Sequence, residues 1–262
     1  MERRERLAVF TRAVYMTVFY LFAGMCISTA AASISMKLYQ SHMMLWTFLA
    51  AAVTIPFCLM QMKRDGFLER ERIWRSGDVS ANEWLALLFL GVSSCIALNY
   101  WIELSGLAKL FKGYAQVAET IYRGKLAEEF LAVVLAAPAV EELLFRGLAY
   151  NGFRRLWGKR AAMVLSALFF GAYHRNMVQF VYAFVLGLML VYVYEAFGTI
   201  RASILFHISA NAASVIMTEC MDLSWMKEDS RAMLVLAFIC TLAGIFSFFR
   251  IYGGKRGRKG KI

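Results

Sequence analysis

Apolar positions fall in long runs with few interruptions. Residues 13–36, 41–62, 84–102 and 177–194 hold no Asp, Glu, Lys or Arg, and 233–249 is shorter and equally apolar. Three further runs are less clean: 130–145 with two glutamates, 161–173, and 204–218 with one histidine. A hydrocarbon core of about 30 Å takes roughly 20 residues of helix, and backbone exposed to lipid must bond to itself. The pattern predicts an all-α, polytopic bundle of about eight transmembrane helices. No Gly/Ser-rich linker, repeat or low-complexity tract divides it, so 1–262 reads as a single membrane-embedded domain.

Composition agrees, with 60% hydrophobic residues and only two prolines, Pro56 and Pro138. Charge adds an orientation. With the N-terminus in the cytoplasm, segments 1–12, 63–83, 146–160, 198–203 and 250–262 face inward, holding 21 of the 29 Lys and Arg. This is the asymmetry of the positive-inside rule, and an even number of spans puts both termini inside. The chain therefore reads as a multi-pass integral membrane protein, of the cell membrane if bacterial. The net charge of +11 suits anionic lipid as a partner. It gives no reason to expect nucleic acid, because the basic tail follows a span directly and lacks interleaved aromatics. The first apolar run is longer than the h-region of a signal peptide, about 7–15 residues, so it reads as a retained span. The five cysteines form no CxxC pair, and neither a disulfide framework nor a cysteine metal site follows. Nothing fixes an oligomeric state.

Between the third and fourth runs, residues 103–129 are too polar to span. Leu107, Leu110, Phe111, Tyr114, Val117 and Ile121 recur at spacings of three and four, opposite Lys109, Lys112, Gln116, Glu119 and Arg123. The spacing predicts an amphipathic helix at the non-cytoplasmic interface.

Ionisable residues within spans are rare and tend to mark function. Glu141, Glu142 and Arg146 lie on the fourth run, and His174 ends the fifth. Glu195 closes the sixth and lies near Arg201, a position suited to an interfacial anchor. His207 and Asn211 lie in the seventh, while His42, at the edge of the second, suits a structural role. Residues four apart share a helical face, so Glu142 can pair with Arg146, and His207 and Asn211 project together. Glu141 is turned about 100° from Glu142 and is left without that partner. The fourth helix is expected to run on past Arg146.

A glutamate, two histidines and an amide supply the functions needed for general-base attack on a peptide bond. Burial disfavours a charged carboxylate, so the glutamate can take a proton from water that a histidine orients. The other histidine and the amide can donate to the oxyanion. The same residues, Glu141, His174 and His207, are also candidates for a divalent metal such as zinc, and metal-free chemistry is equally allowed.

The blocks Glu141-Glu142-x-x-x-Arg146, Phe170-x-x-x-His174 and His207-x-x-x-Asn211 resemble the motifs EExxxR, FxxxH and HxxxN of the CPBP family of intramembrane proteases. That family includes CAAX prenyl endopeptidases and bacterial relatives, and its eight spans agree with the count above. The resemblance implies a catalytic core over 126–217. It implies Glu141 as the base activating water, with His174 assisting, and His207 and Asn211 as the oxyanion hole. Glu142 and Arg146 then hold the site. The implied substrate is a membrane-associated peptide or protein, prenylated in the CAAX manner or carrying a peptide leader.

Two other classes place similar residues in a bundle. A non-catalytic membrane regulator or bacteriocin-immunity partner would be expected to carry a degenerate motif. A transporter would more often show repeated halves. The chain has no HExxH or GxGD, and GVSS at 91–94 is a poor match to a serine intramembrane protease.

Overall fold

The computed structural model describes residues 3–70, 79–111, 125–221 and 230–259, and every element among them is helical. The long first helix α1 (Arg3–Ile34) is followed by the short α2 (Met36–Ser41), α3 (Met43–Arg64) and the short α4 (Phe67–Arg70). Next come α5 (Ala81–Leu104) and a single turn, α6 (Leu107–Leu110). Helix α7 (126–150) runs directly into α8 (Asn151–Tyr173), and α9 (Met177–Phe197) follows. Helix α10 (Ile200–Val215) ends in a π-helical stretch, Ile216–Cys220, and α11 (Ser230–Lys259) closes the chain.

Six helical stretches are long and apolar enough to cross a membrane: Phe10–Ile34, Met43–Arg64, Ala81–Leu104, Met177–Phe197, Ile200–Cys220 and Ser230–Gly253. The other two expected runs are helical without meeting that standard. Residues 130–145 lie in α7, which alternates between α- and π-helical stretches. Residues 161–173 form the part of α8 beyond a kink at Gly158, where φ is +75°. The lipid-facing side is what a bilayer requires: Phe246, Leu242 and Phe249 of α11 are all more than half exposed and have no water-facing reason to be apolar.

Helix α7 is the axis of the bundle. Residues Leu143–Tyr150 are buried without exception, which makes this a helix enclosed on every side. Helices α1, α3, α8, α9 and α10 pack around it. Close approach is possible where side chains are absent. A Cβ on Gly147 would meet the Met62 side chain of α3 at 2.7 Å. One on Gly187 of α9 would meet Ala167 of α8 at 3.1–3.2 Å. The predicted continuation past Arg146 is present, since Glu142, Leu143, Tyr150 and Asn151 all keep right-handed helical angles.

Two stretches of α7, Phe130–Ala136 and Leu143–Tyr150, are π-helical. Pro138 explains the first. It has no N–H to donate, and its ring crowds the carbonyl four residues back. The turn before it widens, and the Ala137 N–H bonds to the Ala132 carbonyl, five residues back.

The amphipathic helix expected over 103–129 is not continuous. Helix α5 carries on to Leu104, Gly106 takes a left-handed conformation (φ +73°), and α6 stops at Phe111, whose angles are non-helical. Helix resumes at Leu126, as the start of α7. The remaining positions of that pattern, from Lys112 to Arg123, lie outside the described residues.

Candidate active site

Glu142 and Arg146 form the expected ion pair at 2.7 Å, with both side chains fully buried. Arg146 also donates to the Gly187 carbonyl at 3.2 Å and lies over the Phe170 ring at 4.6 Å. A guanidinium is suited to this combination of fork and flat face. The same Glu142 oxygen accepts from His207 Nδ1 at 3.0 Å. Glu142 therefore ties α7 to α10, while Arg146 ties α7 to α8 and α9.

Glu141 points elsewhere, as the helical geometry requires. It makes no hydrogen bond among the described residues, and its nearest charged neighbour is His207, with Nε2 3.8 Å from Oε2. Glu141 and His207 are both buried. His207 thus bridges the glutamates, one ring nitrogen to each.

His174 caps the end of α8, and its Nδ1 lies 2.9 Å from the Phe170 carbonyl. A carbonyl only accepts, so Nδ1 carries the hydrogen and Nε2 of the neutral ring is an acceptor. Both imidazoles stand nearly perpendicular to the Phe170 ring, with centroids at 5.0 Å for His174 and 5.7 Å for His207. Asn211 donates from Nδ2 to the Val133 carbonyl at 2.8 Å. An amide NH2 has two hydrogens, so one remains for another acceptor.

Glu141, His174, His207 and Asn211 line one cavity of about 500 Å³. A single void inside the bundle thus receives a carboxylate, two imidazoles and an amide from α7, the end of α8, and α10. The lining also includes Arg175, Gln179 and Tyr182, which the motif reading did not single out. Gln179 had a signal: it is the one strongly polar side chain in the run 177–194. A second cavity, about 590 Å³, lies among α5, α9 and α11; its polar groups are Ser94, Thr241, Cys240 and the indole of Trp101. It contains no acid–base pair.

The residues do not fit a bound zinc. Among the described residues, no group of three or more His, Cys, Asp or Glu could hold a metal ion. His207 has Nδ1 committed to Glu142.

The remaining polar positions are structural. His42 Nδ1 lies 2.7 Å from Glu128 Oε1, joining the start of α3 to the start of α7. Glu195 is held by Arg154 at 2.9 Å, Lys159 at 2.6 Å and the Tyr150 hydroxyl at 2.8 Å. It anchors the end of α9 to the α7–α8 junction, where sequence proximity had suggested Arg201.

Comparison with known families falls on these same residues. Residues 123–213 match the family described as type II CAAX prenyl endopeptidase Rce1-like. This agrees with the resemblance carried by the three motif blocks, and the Rce1-like region contains all of them. No curated protein and no solved structure matches the chain.

Proposed function

We propose that the protein is a multi-pass intramembrane endopeptidase that uses Glu141 as a general base. The observation that carries this is the convergence of Glu141, His174, His207 and Asn211 on one cavity. The Rce1-like match over the same residues supports it. In this reading the runs 130–145 and 161–173 complete an eight-span bundle with both termini cytoplasmic, and 126–217 is the catalytic core.

Water held between Glu141 and the free Nε2 of His174 gives its proton to the Glu141 carboxylate as its oxygen attacks the scissile carbonyl carbon. The carbonyl becomes a tetrahedral oxyanion. His207, in its imidazolium form with Glu142 as counter-charge, donates from Nε2, and the remaining Asn211 N–H is the second donor. Glu141 then returns the proton to the leaving nitrogen as the C–N bond breaks. Glu142 and Arg146 touch no reacting atom in this scheme. They fix His207 and the helix that carries Glu141. The substrate is a membrane-associated peptide or protein, prenylated or carrying a leader.

The test is cleavage of a library of lipidated and unlipidated peptides by purified protein in liposomes, with wild type beside Glu141→Ala. Cleavage lost in a folded Glu141→Ala variant, and unaffected by a chelator, is the expected result. Retained cleavage in that variant removes Glu141 from the mechanism. Loss of activity with chelator alone points to a metal.

A further inference from the structure

The cavity has one open end, and the fold fixes which end that is. Its deep floor is Glu141, His207 and Phe170, all buried. Its other lining residues come from the first turns of α3 (Met44, Thr47) and α9 (Gln179, Tyr182), and from the α8–α9 turn. Arg175, in that turn, is exposed and has a left-handed backbone (φ +53°). Left-handed backbone in a bulky residue is uncommon.

Beyond Glu141 toward the other end of the bundle, the way is shut. Leu144, Phe145, Arg146, Tyr150 and Asn151 have essentially no exposure. The end they seal off is the basic one. There Arg12 pairs with Asp65 at 3.3 Å, Arg155 donates to the Asp65 carbonyl at 3.0 Å, and Arg154 and Lys159 hold Glu195. The inward segments of the positive-inside reading, 1–12, 63–83, 146–160 and 198–203, meet at this end. The turns 35–42 and 174–176 lie at the opposite end.

Taken together, the charge asymmetry and the plug place the mouth away from the cytoplasm. Resting on the endopeptidase reading above, we infer that the cavity receives its peptide from the non-cytoplasmic face, past Arg175 and Gln179. The substrate class is then an exported peptide, or an extracytoplasmic stretch of a membrane protein. A cytoplasmic prenylated C-terminus has no route to Glu141 in this arrangement.

The test is thiol accessibility in sealed right-side-out vesicles from cells expressing the full chain. Cys26 and Cys220, the exposed native thiols, are first replaced by serine. Arg175→Cys and Gln179→Cys report the mouth, and Arg201→Cys, in the exposed α9–α10 turn, reports the opposite face. A membrane-impermeant maleimide is expected to label the first two without detergent and Arg201→Cys only after permeabilisation. Labelling of both mouth positions only after permeabilisation, or not at all, overturns the inference. Two mouth positions guard against a variant that fails to fold. The readout is independent of peptide cleavage, so the side of access and the protease reading fail separately.

Discussion

Asn211 supplies the hydrogen bond that Pro138 withholds from Val133. In an α-helix the Val133 carbonyl would accept from residue 137, but that N–H goes to Ala132. In a π-helix it would accept from residue 138, which is proline and has no N–H. The Asn211 amide fills the place at 2.8 Å, three residues before Glu141 begins its approach to the cavity. One asparagine thus supports the backbone of the helix carrying the base and offers its second N–H to the site.

This relationship predicts a suppressor. Asn211→Ala leaves a carbonyl without a donor and is expected to cost about 1–3 kcal/mol, read as a lower thermal midpoint in detergent. Pro138→Ala restores a backbone N–H and is expected to recover much of that stability in the double variant. Cleavage stays impaired there, because the oxyanion donor is still missing. Strictly additive losses in the two variants would show that the proline and the amide are not coupled.

The Glu142–Arg146 pair predicts an asymmetric response. Arg146→Ala leaves a buried carboxylate without its main partner and is expected to destabilise by about 3–5 kcal/mol. Arg146→Lys is expected to recover little. An ammonium cannot serve Glu142, the Gly187 carbonyl and the Phe170 face together. Replacing both residues with apolar ones of similar size, Glu142→Leu with Arg146→Met, is expected to regain stability while activity stays lost. Thermal unfolding of the three variants checks this.

His207 and His174 are expected to separate in their effects. His207→Ala removes the bridge between the glutamates, so both folding stability and turnover fall, turnover by about 10²–10³-fold as for a lost oxyanion donor. His174→Ala loses only a bond to its own helix, at Phe170. Turnover is expected to drop with the thermal midpoint nearly unchanged. Single-turnover cleavage alongside a melting curve distinguishes the two.

The Gly91 contact offers a check on packing alone. A Cβ there would overlap the Ser209 side chain and come within 2.7 Å of the Phe206 carbonyl of α10. Gly91→Ala is expected to lower the thermal midpoint by forcing α5 from α10. Ser209→Gly is expected to relieve only part of this, since the Phe206 backbone remains.

Much of the bundle and its polar centre were legible in the sequence. Span-length apolar runs are dictated by the bilayer, and the i, i+4 spacing of Glu142 and Arg146 leaves one geometry. The same spacing sends His207 and Asn211 into a common space. Local periodicity did not show the π-helical stretches around Glu141, which follow from Pro138 and from bonds made by other helices, such as Ser166 to the Phe145 carbonyl. The partners of Glu195 come from residues over 35 positions away, across a junction that only the fold creates. The 103–129 pattern was periodic enough for a helix, yet Gly106 breaks it with a left-handed turn that spacing does not reveal.

The central claim is that Glu141 acts on water as a base. It is tested most directly by Glu141→Gln, which keeps the shape of the side chain and removes its basicity. Cleavage is measured under single-turnover conditions in liposomes, on the best substrate of the wild type, with thermal midpoints matched. A fall of about 10²–10⁴-fold is the expected result. A rate within a few-fold of wild type would contradict the account.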